Sequence, residues 1–571
     1  MNKNALLIGI IFLLVLSALT PLSLGNNIRG NIGKINNSNI LGFDEFEESF
    51  QKVRMKNYLM LDRDDIQELF ASDGATGDLF GWSVSISGDY ALIGVVEDDD
   101  NGEYSGSAYI FKRDGTVWTE QLKLLPSDGD ERECFGGSVS IDGDYAIIGA
   151  SHDDDNGCSS GSAYIFKYNG TVWTEQSKLL PSDGKNNNTF GCSVSIDGDY
   201  AIIGALGNKD NGEYSGSAYI FKRDGTVWTE QSKLLPSDGG QFQAFGNSVS
   251  INGDYAIIGA PGDNDNGYCS GSAYIFKRNG TVWTEQSKLV PTDGEPYEAF
   301  GLESISIDGD YAIIGARGND DNGYRSGSAY IFKRDVNIWT QQVKLFPSNK
   351  DDIQYFGRSV SIDGNYTIIG AFGDRDSGYD AGSVYVFKRN GTTWSRHVKL
   401  LAPDGKKDDC FGWSVAINSD YTIIGAAGAD GNEPGSGSAY VFKNISVYQS
   451  PSIPSINGPT RGKLLVKYTF FISAIDPNND DVYYYIDWGD NTISDWLGPF
   501  ESGEEINTSH RWLKQGNFEI RIKAKDTMGA VSDWGILTVS MPRDKSISTS
   551  PLLRFLERCP LLNLLLQRLT T

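Results

Sequence analysis

The sequence predicts an all-β protein, a seven-bladed β-propeller followed by a smaller β-sandwich. Three observations predict this fold class. The dipeptide Phe-Gly recurs seven times, at a spacing of 55 residues that is 56 once. Each copy contains four short strand-like runs bounded by turn residues. Beyond residue 443 the repeat stops and shorter alternating strands follow. The composition agrees, because 67 glycines and 12% aromatic residues suit turn-rich β structure better than helices.

The third copy shows the four predicted strands. Strand A is Ser193–Ile196, strand B is Tyr200–Ala205, strand C is Ser217–Lys222 and strand D is Val227–Leu235. Asp-Gly or Asn-Gly stands between strands C and D in most copies, which predicts type I′ hairpin turns. Each copy is therefore expected to form an antiparallel meander.

The side-chain pattern predicts how the copies pack. Strand B is apolar on both faces, as at Ile202 and Ile203, so it needs a neighbouring sheet on each side. Radial stacking of seven sheets meets this need. The small residues of strand A suit a crowded inner ring, and the charges of strand D discourage edge-to-edge pairing.

The chain also indicates how the ring closes. The seventh copy stops at Lys443 and has no strand D, whereas Ile66–Gly74 matches the end of strand D. We therefore expect this N-terminal strand to complete the seventh blade. The single 56-residue interval comes from one extra residue within Leu302–Ser304, which we interpret as a β-bulge entering strand A.

The N-terminal segment predicts export. It contains Lys3, then the apolar run Ala5–Ala18 and then a small-residue stretch, which is the order of a secretory signal peptide. An uncleaved anchor is the alternative, because Ala5–Leu24 is just long enough to span a bilayer. The expected organisation is a signal peptide at 1–25, a linker at 26–60, the propeller at 61–446, a linker at 447–454, the sandwich at 455–542 and a leucine-rich tail at 543–571. The tail either associates with the cell envelope or a partner, or docks on the sandwich.

Charge and cysteine content exclude several classes. A net charge of −26 would repel nucleic acid and anionic lipid headgroups. The six cysteines follow no zinc or iron–sulfur spacing. One or two disulfides are possible, although most of the cysteine positions hold other residues in the sister copies. The cysteines are Cys134, Cys158, Cys192, Cys269, Cys410 and Cys559.

Phe-Gly followed about a dozen residues later by Ile-Gly-Ala resembles the FG-GAP repeat of integrin α-chain propellers and microbial surface proteins. The fourth copy has the literal Gly259-Ala260-Pro261, and the other copies drift at the last position. The resemblance implies a propeller at the cell surface that binds rather than catalyses.

The family's calcium sites do not transfer simply. The resemblance implies calcium in a long loop between strands A and B, but here that connection is only Asp197-Gly198-Asp199, too short to supply six to eight oxygens. The loops between strands B and C are the alternative. We favour solvated Asx-rich turns there, since no distal bidentate Glu recurs, and expect no required cofactor. The calcium candidates are Asp98, Asp100, Asp153, Asp155, Asp263, Asp265 and Asp320.

The segment after residue 455 resembles a polycystic-kidney-disease-type (PKD) domain, which is an immunoglobulin-like sandwich. The resemblance rests on Ile486–Asp490, His510–Trp512, Gly516–Phe518 and Lys525–Gly529. It implies a spacer or adhesion module. We expect Trp488 to be a core residue.

These features favour a secreted or cell-surface binding protein that is not an enzyme. His152, His397 and His510 fall in separate elements and are not expected to meet in one site. The D–A and B–C loops should share one face, and they vary most between copies, which suits an extracellular protein or glycan partner. A structural surface-layer component is the alternative, and a propeller enzyme acting on polysaccharide or lipid is less favoured. Glycosylation candidates are Asn169, Asn187, Asn279, Asn390, Asn444 and Asn507.

Overall fold

The computed structural model describes residues 66–347 and 352–541. The predicted signal peptide, the N-terminal linker, the C-terminal tail and Cys559 lie outside the described residues. Within the described part, no helix is long and apolar enough to cross a membrane. The five cysteines described are all free.

Seven four-stranded antiparallel sheets form the blades of a propeller. Blades are numbered from the first Phe-Gly. The strands in chain order are β1 (Ile66–Leu69); blade 1, β2 (Phe80–Ser87), β3 (Tyr90–Val95), β4 (Ser107–Asp114) and β5 (Val117–Leu124); blade 2, β6 (Phe135–Asp142), β7 (Tyr145–Ala150), β8 (Ser162–Tyr168) and β9 (Trp173–Leu179); blade 3, β10 (Phe190–Asp197), β11 (Tyr200–Ala205), β12 (Ser217–Asp224) and β13 (Val227–Leu234); blade 4, β14 (Val249–Asn252), β15 (Tyr255–Ala260), β16 (Ser272–Asn279) and β17 (Val282–Leu289); blade 5, β18 (Ile305–Asp308), β19 (Tyr311–Ala316), β20 (Ser328–Asp335) and β21 (Ile338–Leu345); blade 6, β22 (Val360–Asp363), β23 (Tyr366–Ala371), β24 (Ser383–Asn390) and β25 (Thr393–Leu400); blade 7, β26 (Phe411–Ile417), β27 (Tyr421–Ala426) and β28 (Ser438–Lys443).

The N-terminal strand closes the ring, which confirms the prediction. β1 pairs antiparallel with β28, from Ile66 opposite Phe442 to Leu69 opposite Ala439. A parallel bridge links each blade to the next, and Gly437 of blade 7 makes the corresponding bridge to Phe80 of blade 1. The ring is therefore closed between blades 7 and 1.

Each blade packs both of its faces against neighbours, as the sequence predicts. In β11, Ile203 lies in the core shared with blade 2, whereas Ile202 lies in the core shared with blade 4. Both side chains are fully buried. Phe190, the Phe of the repeat, packs edge-on against Tyr219 at a centroid distance of 5.4 Å. Burial of this kind stabilises the fold by about 1.5–3 kcal/mol per large apolar side chain.

The small residues of strand A do more than fit a crowded ring. The hydroxyl of Ser140 in blade 2 accepts a hydrogen bond from the backbone amide of Ile196 in blade 3, at 3.2 Å. Asp142 likewise accepts from the amide of Gly198, at 2.8 Å. Equivalent bonds recur between most neighbouring blades, so serines link the inner strands where no sheet pairing exists.

The predicted turn type needs correction, whereas the predicted bulge is confirmed. At the C–D hairpin of blade 3, Asp224 is paired with Val227, so the central residues are Gly225 and Thr226. Only Gly225 has a positive φ, 61°, which is the type II′ pattern rather than the predicted type I′. The extra residue of the fifth copy lies between Gly301 and Ser304, which both bond Gly315: the amide of Gly301 donates to its carbonyl at 2.9 Å, and its amide donates to the carbonyl of Ser304 at 3.2 Å. This is the predicted bulge at the entry to strand A, and the register of β18 with β19 beyond it is unbroken.

The second domain is a two-sheet β-sandwich. One sheet has the order β29-β30-β33 and the other the order β32-β31-β34-β35. Trp488 is 6% exposed and packs in the core with Trp512, which confirms the expected core position. A 3-10 helix, Ile445–Val447, precedes the linker. The sandwich strands are β29 (Ser455–Asn457), β30 (Tyr468–Ser473), β31 (Val482–Asp487), β32 (Leu497–Phe500), β33 (Ile506–His510), β34 (Gly516–Asp526) and β35 (Gly535–Met541).

The sandwich docks on blade 6 through the backbone. The amide of Leu401 donates to the carbonyl of Gly529 at 2.9 Å, and the amide of Val531 donates to the carbonyl of Lys399 at 3.0 Å. An antiparallel bridge joins Leu400 and Ala530. The turn after β34 thus pairs with the end of the outer strand of blade 6.

Candidate functional site

The loops between strands D and A and between strands B and C lie together on one face, called here the loop face. In blade 1 the amide of Arg132, in the D–A loop, donates to the carbonyl of Glu103 in the B–C loop at 2.7 Å. In blade 3 the amide of Phe242 donates in the same way to Glu213 at 2.7 Å. This confirms that the two loop types share a face. Backbone bonds fix the loops and leave their side chains free to vary.

A lysine of strand D lies within the acidic B–C loop of six blades, an arrangement called here the lysine cluster. In blade 2 the Nζ of Lys178 lies 2.7 Å from Asp153, 2.8 Å from Asp155 and 2.9 Å from Asp128. The hydroxyl of Tyr164 donates to Asp128 at 2.9 Å. The corresponding lysines are Lys123, Lys178, Lys233, Lys288, Lys344 and Lys399.

The lysine clusters contain six of the seven calcium candidates. Asp98 and Asp100 bond Lys123, Asp153 and Asp155 bond Lys178, and Asp263 and Asp265 bond Lys288. The seventh candidate, Asp320, accepts the amide of Arg325 at 2.6 Å. Within the described residues, no group of three His, Cys, Asp or Glu side chains has a geometry that could hold a metal ion. The residues present therefore fit an internal ammonium better than calcium.

Calcium and a chelator are each expected to leave the melting temperature unchanged. A site already filled by an ammonium gains little from added cation, so the shift should stay below about 1 °C. Differential scanning calorimetry with either addition measures this. In a Lys178→Ala variant the carboxylates of Asp128, Asp153 and Asp155 lose their ammonium, and calcium should then raise the melting temperature. A rise of several degrees in the unaltered chain would contradict the prediction.

The seventh blade departs from this pattern in a concerted way. Its strand D is β1, where Glu68 stands at the lysine position, and the two loop positions that carry Asp98 and Asp100 in blade 1 hold Ala429 and Gly431. Glu68 instead accepts from the hydroxyl of Ser438 at 2.8 Å. Loss of the cation thus accompanies loss of its two carboxylate partners in the B–C loop.

A buried polar residue stands two positions before each Phe-Gly and faces the same cluster. In blade 2 this residue is Glu133, 6% exposed. Burial and the nearby Asp153 raise the pKa of Glu133 to about 7. The series is Asp78, Glu133, Asn188, Gln243, Glu298, Gln354 and Asp409. Sequence reasoning missed it, although a polar residue at a fixed offset in all seven copies was a visible signal.

Replacing Glu133 by Gln is expected to stabilise the protein at pH 8 but not at pH 4. The folded pKa, about 7, exceeds the unfolded value of 4.5, so the folded state binds more protons between these values. The contribution of Glu133 to stability is therefore fully present below pH 4.5 and is lost as pH rises from there through 7. Glu133→Gln removes this loss, worth roughly 1–3 kcal/mol at pH 8.

Melting curves of parent and Glu133→Gln at pH 4 and pH 8 measure the difference. Gln already occupies the position in blades 4 and 6, so the variant should fold. An exposed control, Glu131→Gln, should behave alike at both pH values. A Glu133→Gln advantage that is equal at both pH values would contradict the assigned ionisation.

Exposed aromatic side chains mark the loop face. Tyr268 and Tyr297 are 65% and 67% exposed and lie 5.5 Å apart between ring centroids. Tyr214 and Phe242 form a second, stacked pair at 6.3 Å. Large rings presented on rigid loops are typical of recognition surfaces.

The remaining predicted residues fall where the sequence placed them. His152 lies in a B–C loop, His397 in β25 and His510 in β33, where its Nε2 lies 2.8 Å from Asp490. The structure does not bring the three histidines together. All six glycosylation candidates are exposed: Asn169, Asn187, Asn279, Asn390, Asn444 and Asn507.

Comparison with solved structures finds small matches. One is the PKD domain of an M14-like peptidase from Thermoplasmatales archaeon SCGC AB-540-F20, with 45% identity over 16% of this chain and 96% of that chain, at a TM-score of 0.16. Another is the PKD domain of human VPS10 domain-containing receptor SorCS2, with 19% identity over 17% of this chain and 78% of that chain, at a TM-score of 0.14. No curated protein matches.

Comparison with protein families finds the FG-GAP repeat seven times, at residues 64–111, 118–166, 173–221, 228–276, 283–332, 339–387 and 394–442. These matches cover more than half of the chain. Each match spans strand D of one blade and strands A to C of the next blade. The chain belongs to the FG-GAP repeat family.

Proposed function

We propose that the protein is an exported, cell-surface binding protein that engages an extracellular protein or glycan through its loop face. The observation that carries the proposal is that the backbone and the side chains of the loops have different roles. Backbone hydrogen bonds fix their geometry, while exposed side chains such as Tyr268 and Tyr297 differ from blade to blade. A rigid scaffold with variable exposed residues is the usual basis of recognition. Membership of the FG-GAP family supports a binding role.

In this proposal the sandwich is a PKD-type spacer that holds the propeller at a fixed orientation. Its backbone contacts with blade 6 support a fixed rather than a free linkage. The face binds its ligand without converting it. Export and attachment through the chain ends are part of the same proposal.

Binding of the purified protein to intact cells and to immobilised oligosaccharides tests this function. Tyr268→Ser with Tyr297→Ser should weaken saturable binding at least about 10-fold if the face recognises the ligand. Ile338→Ser is the matched control, because Ile338 is 68% exposed but lies at a hairpin on the opposite face. Equal loss in both variants would overturn the assignment of the face. Concentration-dependent sheets without ligand would instead indicate a surface-layer component, and hydrolysis of a surface polymer would indicate an enzyme.

A further inference from the structure

The loop face of blade 3 contains a polar cavity of about 480 Å³, within the range of small-ligand sites. Two lysines, Lys185 and Lys209, line it. Four amide side chains complete the polar lining, and they are Asn156, Asn186, Asn188 and Asn208. Asp210 also lines the cavity, with its carboxylate 2.5 Å from the Nζ of Lys233.

The cavity is a local reversal of charge in a strongly acidic chain. The D–A loop that reads Asp-Glu-Arg-Glu at residues 130–133 reads Lys-Asn-Asn-Asn at residues 185–188. In the B–C loop, the positions of Asp153 and Asp154 in blade 2 hold Asn208 and Lys209 in blade 3. Anionic ligands are repelled by most of a chain with a net charge of −26, but not by this cavity.

Its lysines are available to a ligand. Lys185 is exposed and has no ion pair within the described residues. Lys209 pairs with Glu213 at 2.9 Å, but the two side chains are 45% and 55% exposed. Exposed pairs of this kind contribute little to stability, so a ligand anion can replace Glu213 at little cost.

A buried amide in the cavity has no acceptor. Asn188 is 2% exposed, and its Nδ2 makes no hydrogen bond. The equivalent Gln243 of blade 4 donates to Asp263 at 3.0 Å. Blade 3 has Asn208 instead of that Asp, and the Nδ2 of Asn208 faces the hydroxyl of Tyr219 at 3.4 Å. The Nδ2 donor of Asn188 therefore lines the cavity without an acceptor. A buried donor without an acceptor destabilises the protein, and a ligand oxygen that accepted its hydrogen bond would remove this cost.

An aromatic platform adjoins the lysines. Tyr214 and Phe242 stack at an interplanar angle of 20° and are 43% and 60% exposed. The Nζ of Lys209 lies 5.9 Å from the ring centroid of Tyr214, so Lys209 connects the cavity to the platform. Flat aromatic faces pack against the C–H faces of sugar rings, whereas amides bond hydroxyl groups.

We propose that the blade 3 cavity binds an acidic saccharide. Lys185 and Lys209 take its carboxylate or sulfate, the Asn188 amide donates to one of its oxygens, and Tyr214 with Phe242 stack on a sugar ring. This proposal rests on the proposed binding function and names a ligand class and a site for it.

Isothermal titration of the full chain, produced in a host that adds no N-glycans at Asn187, tests the site. The probes are tetragalacturonate, which is carboxylated, a chondroitin sulfate tetrasaccharide, and neutral cellotetraose. Binding of either acidic probe, weakened by salt, with none of the neutral probe supports the site. Which acidic probe binds more tightly identifies the anionic group.

Three variants locate the binding. Lys185→Ala with Lys209→Ala should lower affinity at least about 10-fold. Asn188→Asp should abolish binding by placing a carboxylate in the cavity, and Asp at this position folds in blades 1 and 7, at Asp78 and Asp409. The matched control is Lys406→Ala with Lys407→Ala, two exposed lysines in the corresponding loop of blade 7.

Absence of saturable binding by both acidic probes would overturn the proposal. So would binding that survives Asn188→Asp or the Lys185 and Lys209 replacements. Cell or glycan binding that is lost with Tyr268→Ser and Tyr297→Ser but survives these variants leaves the proposed function standing and overturns this cavity alone.

Discussion

Deleting Ile66–Gly74 from the full chain is expected to open the ring and prevent formation of a stable monomer. Leu69 is 2% exposed in the core between blades 7 and 1, and four residues of β1 pair with β28. The side chain of Gln67 also bonds both backbone groups of Trp118 at 2.7 Å, which ties β1 to blade 1. Loss of one buried Leu alone costs about 2–5 kcal/mol, against a total stability of about 5–15 kcal/mol.

Size-exclusion chromatography and urea denaturation measure the effect. The deleted chain should aggregate, because β28 becomes an unpaired edge containing Val441 and Phe442. The matched control replaces Ile66–Gly74 with the sequence of residues 231–239, the same part of strand D in blade 3. That graft should close the ring. A deleted chain that stays monomeric and melts at the parent temperature would show that closure contributes nothing.

The repeat allowed much of the ring to be predicted. Because seven copies share one pattern, strand B was placed at Tyr200–Ala205, as observed, and the missing strand D of copy seven required a substitute from Ile66–Gly74. The type I′ assignment failed because Asp224 or its equivalent stays in the ladder, which moves the turn by one residue. The bulge near Glu303 could be predicted because one extra residue in an otherwise regular repeat has to leave the ladder.

The lysine clusters were harder to predict. Sequence reasoning treated the Asp-rich loops alone, as solvated turns or calcium ligands, and strand D alone, as a charged edge. The two meet only in the folded blade, 25 residues apart in the case of Asp153 and Lys178. The concerted change at Glu68, Ala429 and Gly431 was a signal within the sequence. It could have shown that the strand D lysine and the B–C loop carboxylates contact each other.

The contact between propeller and sandwich could not be predicted, because each domain repeats its own pattern and neither pattern specifies the other. The contact contains a buried charge network. The carboxylate of Asp376 in blade 6 accepts from the Nζ of Lys399 at 2.7 Å and from the Nζ of Lys523 in the sandwich at 2.6 Å. Asp374 adds a second bond to Lys399 at 2.7 Å. Trp496 of the sandwich donates to the backbone carbonyl of Asp376 at 3.1 Å.

Asp376→Ala is expected to release the sandwich from blade 6. Burial opposes ionisation of Asp376, but Lys399 and Lys523 together hold its pKa well below the usual range. Removing the carboxylate leaves Lys523, 4% exposed, without its only carboxylate partner among the described residues. Isolating a buried charge in this way costs about 3–5 kcal/mol. Limited proteolysis at the linker and hydrogen exchange across the contact should both detect the release.

Two further variants separate charge burial from simple loss of a contact. Arg396→Ala removes the exposed pair with Asp533 at the rim of the same contact and should cost no more than about 1 kcal/mol. Asp376→Leu combined with Lys523→Met removes both charges and should restore most of the docking.

Because the folded pKa of Asp376 is depressed, its contribution is present above the unfolded value of 3.8 and is lost as pH falls below it. Acid should therefore release the sandwich in the parent but not further in the double variant, and equal acid sensitivity in both would show that this network does not hold the two domains together.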